Sequence, residues 1–152
     1  MKAMETQFNS QICTTIEQSE RLLALGLKKE TADMFWWDNG YGSCAVISRP
    51  AEKEDYEYGK VIPAWSLLRL VSALMNNGIS ILFIDNIVVI EKYKVFEKSY
   101  EFWDDVYDNI CDAIEWLIKE GYFNKEYLVD QEAIEEHCKG VLEYLDYIRK
   151  ED

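Results

Sequence analysis

Residues 79–96 read ISILFIDNIVVIEKYKVF, and the fold turns on how this stretch is read. Two runs rich in Ile and Val, residues 79–83 and 87–91, flank the polar pair Asp85-Asn86, and a third run, residues 93–96, follows almost at once. Short β-branched runs with polar breaks are strand signals, and breaks this short join antiparallel neighbours. Parallel strands would need a long crossover, usually a helix, between them. The stretch therefore predicts antiparallel hairpins.

Upstream, residues 34–38 and 44–48 read as a second pair of strands across the turn-rich Asn39-Gly40-Tyr41-Gly42. Residues 49–61 read as a polar loop holding Pro50, Tyr56 and Tyr58. Four helices surround these runs. The first is capped by Thr14, with Glu17 completing a capping box; Ile16, Ser19, Leu22 and Leu23 share one side, and it stops near Gly26. The second follows Pro63 over residues 66–75, with Leu67, Leu70, Val71 and Leu74 on one face. The third covers residues 102–120 and halts at Gly121; the fourth covers residues 131–150 and is capped by Asp130. The order predicts an α+β fold, a small antiparallel sheet of four or five strands in hairpins packed by about four helices. The 152 residues make one domain, with 124–152 an acidic helical extension packed on it.

Charge is distributed unevenly. Net charge is −13, and residues 101–152 hold sixteen acids against five bases. Such an excess repels phosphate backbones and anionic lipid, so direct nucleic-acid or membrane-surface binding is disfavoured. No stretch approaches the roughly 20 apolar residues of a membrane helix, and residues 1–11 lack the apolar run of a secretory signal. Cys13, Cys44, Cys111 and Cys138 are far apart, without zinc or redox spacing, which suits thiols in a reducing cytoplasm.

On the third helix, Trp103, Val106, Tyr107, Ile110, Ile114 and Leu117 fall on one face, and Asp104, Asp105, Asp108, Asp112 and Glu115 on the other. Like charges three and four residues apart repel by a few tenths of a kcal/mol per pair. A solvated face is the simplest explanation. The sharper one is a surface for a basic protein partner, carried by Asp105, Asp108 and Asp112 around Trp116, which projects on the acidic side unless Tyr122-Phe123 or the fourth helix covers it. A second candidate is an aromatic-lined groove for a small ligand, with Trp36, Trp65 and Tyr58.

Chemistry is thinly signalled. Asp104, Asp108 and Asp112 spread over about 12 Å of one helix rather than converging, so no metal is expected. His137 and Cys138 are adjacent in a helix and point about 100° apart, which argues against a nucleophile–base pair. No phosphate-loop, dinucleotide or nucleophile-elbow motif occurs, and no cofactor is implied.

Four segments together resemble a known family: Cys13-Thr14-Thr15 with Glu17-Gln18-Ser19 and Arg21 to Leu27; Glu30-Thr31-Ala32-Asp33-Met34; Ile62-Pro63-Ala64-Trp65-Ser66-Leu67; and Glu115-Trp116-Leu117-Ile118 with Glu120-Gly121-Tyr122. In this order they are similar to an uncharacterised family of small proteins from Bacteroides-type gut bacteria, often linked to prophage or mobile elements. The resemblance implies a cytoplasmic bacterial protein and brings no residue role. The expectation from the whole sequence is a non-enzymatic binding or accessory protein acting through its acidic C-terminal third. The alternative is a small-ligand binder or hydrolase using the aromatic groove.

Overall fold

A computed structural model describes residues 11–38, 40, 44–84, 87–101 and 106–130. The elements in chain order are α1 (Ile16–Ala24), β1 (Met34–Asp38), β2 (Cys44–Ile47), α2 (Lys53–Tyr58), β3 (Lys60–Ala64), α3 (Leu67–Asn76), β4 (Ser80–Ile84), β5 (Ile87–Lys92), β6 (Phe96–Glu101) and α4 (Val106–Lys119). The fold is α+β, with all strand pairs antiparallel. The strands divide into two three-stranded sheets, ordered β2-β1-β3 and β4-β5-β6. The expected helix over 131–150 lies outside the described residues.

Three segments differ from the sequence reading. The expected polar loop over 49–61 contains α2 and the start of β3. Arg49 places both terminal nitrogens 2.8 Å from the Asp55 carboxylate, which also accepts the Glu52 amide at 2.7 Å. Hydrogen bonding to Arg49 holds the Asp55 carboxyl down to about 2. A single turn clipped by an ion pair has no apolar periodicity for a sequence reading to detect. Pro63 precedes α3 as expected but itself lies inside β3, where it is tolerated because β3 is an edge strand among the described residues. The third strand of the second sheet starts at Phe96, after a turn in which Lys94 has a positive φ of 60°.

The cap of α1 is also displaced. Thr15, not Thr14, accepts the Gln18 amide at 3.1 Å, and Gln18 Oε1 accepts the Thr15 amide at 2.9 Å. Thr14 is fully buried and serves a different purpose. Its hydroxyl accepts the Trp65 amide at 3.0 Å and lies 2.8 Å from the Ser19 hydroxyl. Its amide donates to the Trp65 carbonyl at 2.9 Å, and its carbonyl accepts the Trp36 indole N–H at 2.9 Å. One residue thus ties the start of α1 to β1 and to the end of β3.

The helices carry the main core. Leu22 and Leu23 of α1, Leu70 and Leu74 of α3, and Ile110, Ile114 and Leu117 of α4 are buried together with Ile62, Trp65 and Ile90. Helix α1 meets β3, and α4 meets α1, β5 and β6, so the two sheets are joined through the helices. Gly59 is required by a close approach. A Cβ there would lie 2.3 Å from the Trp37 indole nitrogen.

Thr14→Val keeps the shape but removes the hydroxyl, leaving the buried Trp65 amide without its acceptor. Each unsatisfied buried group costs about 1–3 kcal/mol. Urea denaturation should show a loss of about 2–3 kcal/mol; a change below about 0.5 kcal/mol would show that the hydroxyl is dispensable.

Candidate functional site

Helix α4 displays the two faces expected of it. Tyr107, Ile110, Ile114 and Leu117 are buried, and Asp108, Asp112 and Glu115 lie on the open side. The acids are tethered to α1 rather than simply hydrated. Gln18 Nε2 donates to Asp108 Oδ1 at 2.7 Å, while Arg21 Nη2 donates to Asp112 Oδ1 at 2.5 Å and to Glu115 Oε2 at 2.9 Å. Lys119 Nζ adds a contact to Glu115 Oε1 at 3.3 Å. The repulsion anticipated along the helix is therefore relieved within the protein, chiefly by Arg21. The hydrogen bond from Arg21 holds the Glu115 carboxyl below its ordinary range, against some opposing burial and with help from Lys119.

Between the helices lies a shallow hollow lined by Thr15, Glu17, Gln18, Arg21 and Asp108. Glu17 is exposed at its rim. The same Gln18 side chain caps α1 through Oε1 and fixes Asp108 through Nε2. Sequence reasoning identified Asp108 and Asp112 but missed Gln18 and Arg21. Their only signal is an i, i+3 spacing beside the apolar stripe of α1, which does not reveal the helix they face.

Trp116 is half-buried in an aromatic cluster. Its ring centroid lies 5.0 Å from Phe96 and 5.7 Å from Tyr122, and Lys98 Nζ sits 4.5 Å over the ring. Gly121, at φ 77°, provides the left-handed step that turns Tyr122 back onto α4. Asp105 lies outside the described residues.

Trp36 and Trp65 come together around Thr14, and Tyr58 stands apart. Trp36 is half-buried, with its N–H on the Thr14 carbonyl; Trp65 is buried, its N–H donating to Thr31 Oγ1 at 3.0 Å. Tyr58 is 77% exposed at the end of α2. A small cleft of about 40 Å³ does include Trp65, with Leu27, Arg69, Ile114, Phe123 and Tyr127. Arg69 Nε donates to the Thr31 carbonyl at 2.7 Å, and Asn76 meets the Tyr127 hydroxyl at 3.3 Å. Among the described residues that line the cleft there is no acid, thiol or imidazole, and Thr31, Ser72 and Tyr127 bring hydroxyls.

Among the described residues no group of three His, Cys, Asp or Glu is placed to hold a metal, and no helix is long and apolar enough to cross a membrane. Cys13 is buried, and burial, reinforced by Asp33, pushes its thiol up to about 11. It is poorly suited to act as a nucleophile at neutral pH.

Two substitutions probe this region. Trp116→Ala should lower stability by about 2–3 kcal/mol, under the roughly 3–5 kcal/mol of a fully buried tryptophan; unchanged stability would mean that the cluster contributes little. Arg21→Gln should destabilise by about 1 kcal/mol at pH 7. Glu115 is depressed in the folded state, so its contribution is present above the ordinary carboxylate range and is lost as pH falls through the folded value. The gap between wild type and Arg21→Gln should therefore narrow on acidification. A gap independent of pH would show that Arg21 acts by packing instead.

Comparison with protein-family models, with curated proteins and with solved structures found no match to this chain.

Proposed function

We propose that the protein is a non-enzymatic binding protein of the cytoplasm of a Bacteroides-type bacterium, and that the seam between α1 and α4 contacts a basic protein partner. The observation that carries this reading is the state of Asp108 and Asp112. Each has Oδ1 bonded to α1, by Gln18 and Arg21 respectively, and among the described residues neither Oδ2 has a hydrogen-bond partner. An ionised carboxylate has about four acceptor positions, so most of each group's capacity is left for a ligand. Because tertiary bonds already fix the side chains, a partner meets them without the usual loss of rotamer freedom. Lys and Arg are the natural donors to such a surface. The excess of acids over bases in residues 101–152 adds long-range attraction for a basic partner and speeds encounter at low salt.

A second reading rests on the cleft at Trp65. Among the described residues the Arg69 side chain bonds through Nε only, and it lines the cleft beside the apolar Leu27, Leu70 and Ile114. This geometry suits a small apolar carboxylate held as a ligand. A hydrolase is less well supported, because among the described lining residues the hydroxyls of Thr31, Ser72 and Tyr127 have no carboxylate or imidazole beside them to act as a base.

The test is retention of lysate proteins on the immobilised full chain, after nuclease treatment, at low and high salt. The wild type should retain a stoichiometric basic protein that high salt releases. Asp108→Asn with Asp112→Asn keeps both Oδ1 acceptors and should lower retention at least tenfold. Equal retention by the double variant would remove the seam from the contact. No retained protein at all would remove the protein-binding reading and leave the Trp65 cleft.

A further inference from the structure

The two sheets have four edges, and three of them are protected against pairing with another strand. β3 carries Lys60 and Pro63, β6 carries Glu97, Lys98 and Glu101, and β2 is only four residues long. Charge, proline and shortness are the usual means of blocking an edge. The fourth edge, β4, is Ser80-Ile81-Leu82-Phe83-Ile84, with no charge, proline or glycine. Leu82, Phe83 and Ile84 are 54%, 43% and 49% exposed, and among the described residues β4 pairs only with β5.

We infer that β4 is a self-association edge, which pairs antiparallel with β4 of a second copy about a two-fold axis at Leu82. The hairpin fixes the geometry. Ile84 pairs with Ile87 across two intervening residues, so this closing pair is the hydrogen-bonded type, and Leu82↔Val89 and Ser80↔Glu91 repeat it. The backbone groups of the alternate residues, Ile81 and Phe83, then point away from β5 to the open edge. Placing Leu82 opposite Leu82 of the second copy sets Ile81 against Phe83 of that copy, and Phe83 against its Ile81. All four outward N–H groups find carbonyls. The shared sheet becomes six-stranded, without a bulge or a register slip.

The side chains match this register. On the open face the row across the junction is Val89, Leu82, then Leu82 and Val89 of the second copy. On the helix-facing side Phe83 meets Ile81 of the second copy, covering a ring that is exposed in the single chain. Electrostatics favour the same edge. Two copies each carrying −13 repel, and β4, which has no charged residue, lets them meet without setting a charge of the strand against its own image. The pairing is separate from the α1–α4 seam and does not rest on it. One short strand buries less than a standard interface, so the dimer should be reversible.

Sedimentation of the full chain over a hundredfold range of concentration should show the mass rising from 17.9 kDa to twice that value. Leu82→Glu and Leu82→Lys should each weaken self-association at least tenfold, because like charges would face each other on the axis. Circular dichroism confirms that the variants fold, and mixing the two should restore a dimer containing one of each. Leu82→Cys should cross-link across the axis under mild oxidation, and Ser80→Cys should not. A monomer at every concentration would overturn the proposal. So would a dimer that survives Leu82→Glu, or charge variants that fail to recombine.

Discussion

Thr14 is the constraint on which the rest of the structure depends. Its amide, carbonyl and hydroxyl are all engaged, and their partners come from α1, β1 and the residue that follows β3. The first sheet and the first helix are therefore set against each other by directional bonds around a buried residue, where each bond is stronger and less replaceable than at the surface. Once α1 is placed, its Leu22 and Leu23 define where α4 packs, and α4 in turn supports β5 and β6. The adjacent Asp33 extends the same junction by accepting both the amide and the hydroxyl of Ser66, the residue that caps α3.

The parts of the fold legible in the sequence were those with strong local periodicity. The hairpin runs around 79–91, the strands at 34–38 and 44–47, and the apolar stripes of α1, α3 and α4 were read at nearly their observed bounds. Sequence reasoning failed where tertiary bonds override local signals. Thr14-Thr15 with Glu17-Gln18 offers two overlapping capping boxes, and burial of Thr14 selects the second. The turn at α2 depends on a side-chain clip from Arg49, and β3 forms around a proline because it is an edge strand among the described residues. Separation of the strands into two sheets rests on helices packing between distant segments, which a linear pattern does not encode.

The candidate site was half legible. The helical wheel placed Asp108, Asp112 and Glu115 on one face, and the structure agrees, yet a wheel contains no information about what stands opposite. Arg21 turns a row of mutually repelling acids into a held arrangement, and it lies 91 residues from the aspartate it meets. For Trp116 the sequence offered Tyr122 as a cover, which the structure places against it, but not Phe96, which comes from a strand. Trp36 and Trp65 converge, though around a hydrogen-bonding residue rather than around an open groove with Tyr58.

Gln18 has one further consequence. A single planar amide connects the Thr15 backbone N–H on one side to the Asp108 carboxylate on the other. Whatever draws on Asp108 pulls on that amide and so on the first turn of α1. The Thr15 amide proton is thus a natural spectroscopic sensor for the seam: its resonance frequency and its rate of exchange with deuterium register events at a carboxylate it never touches.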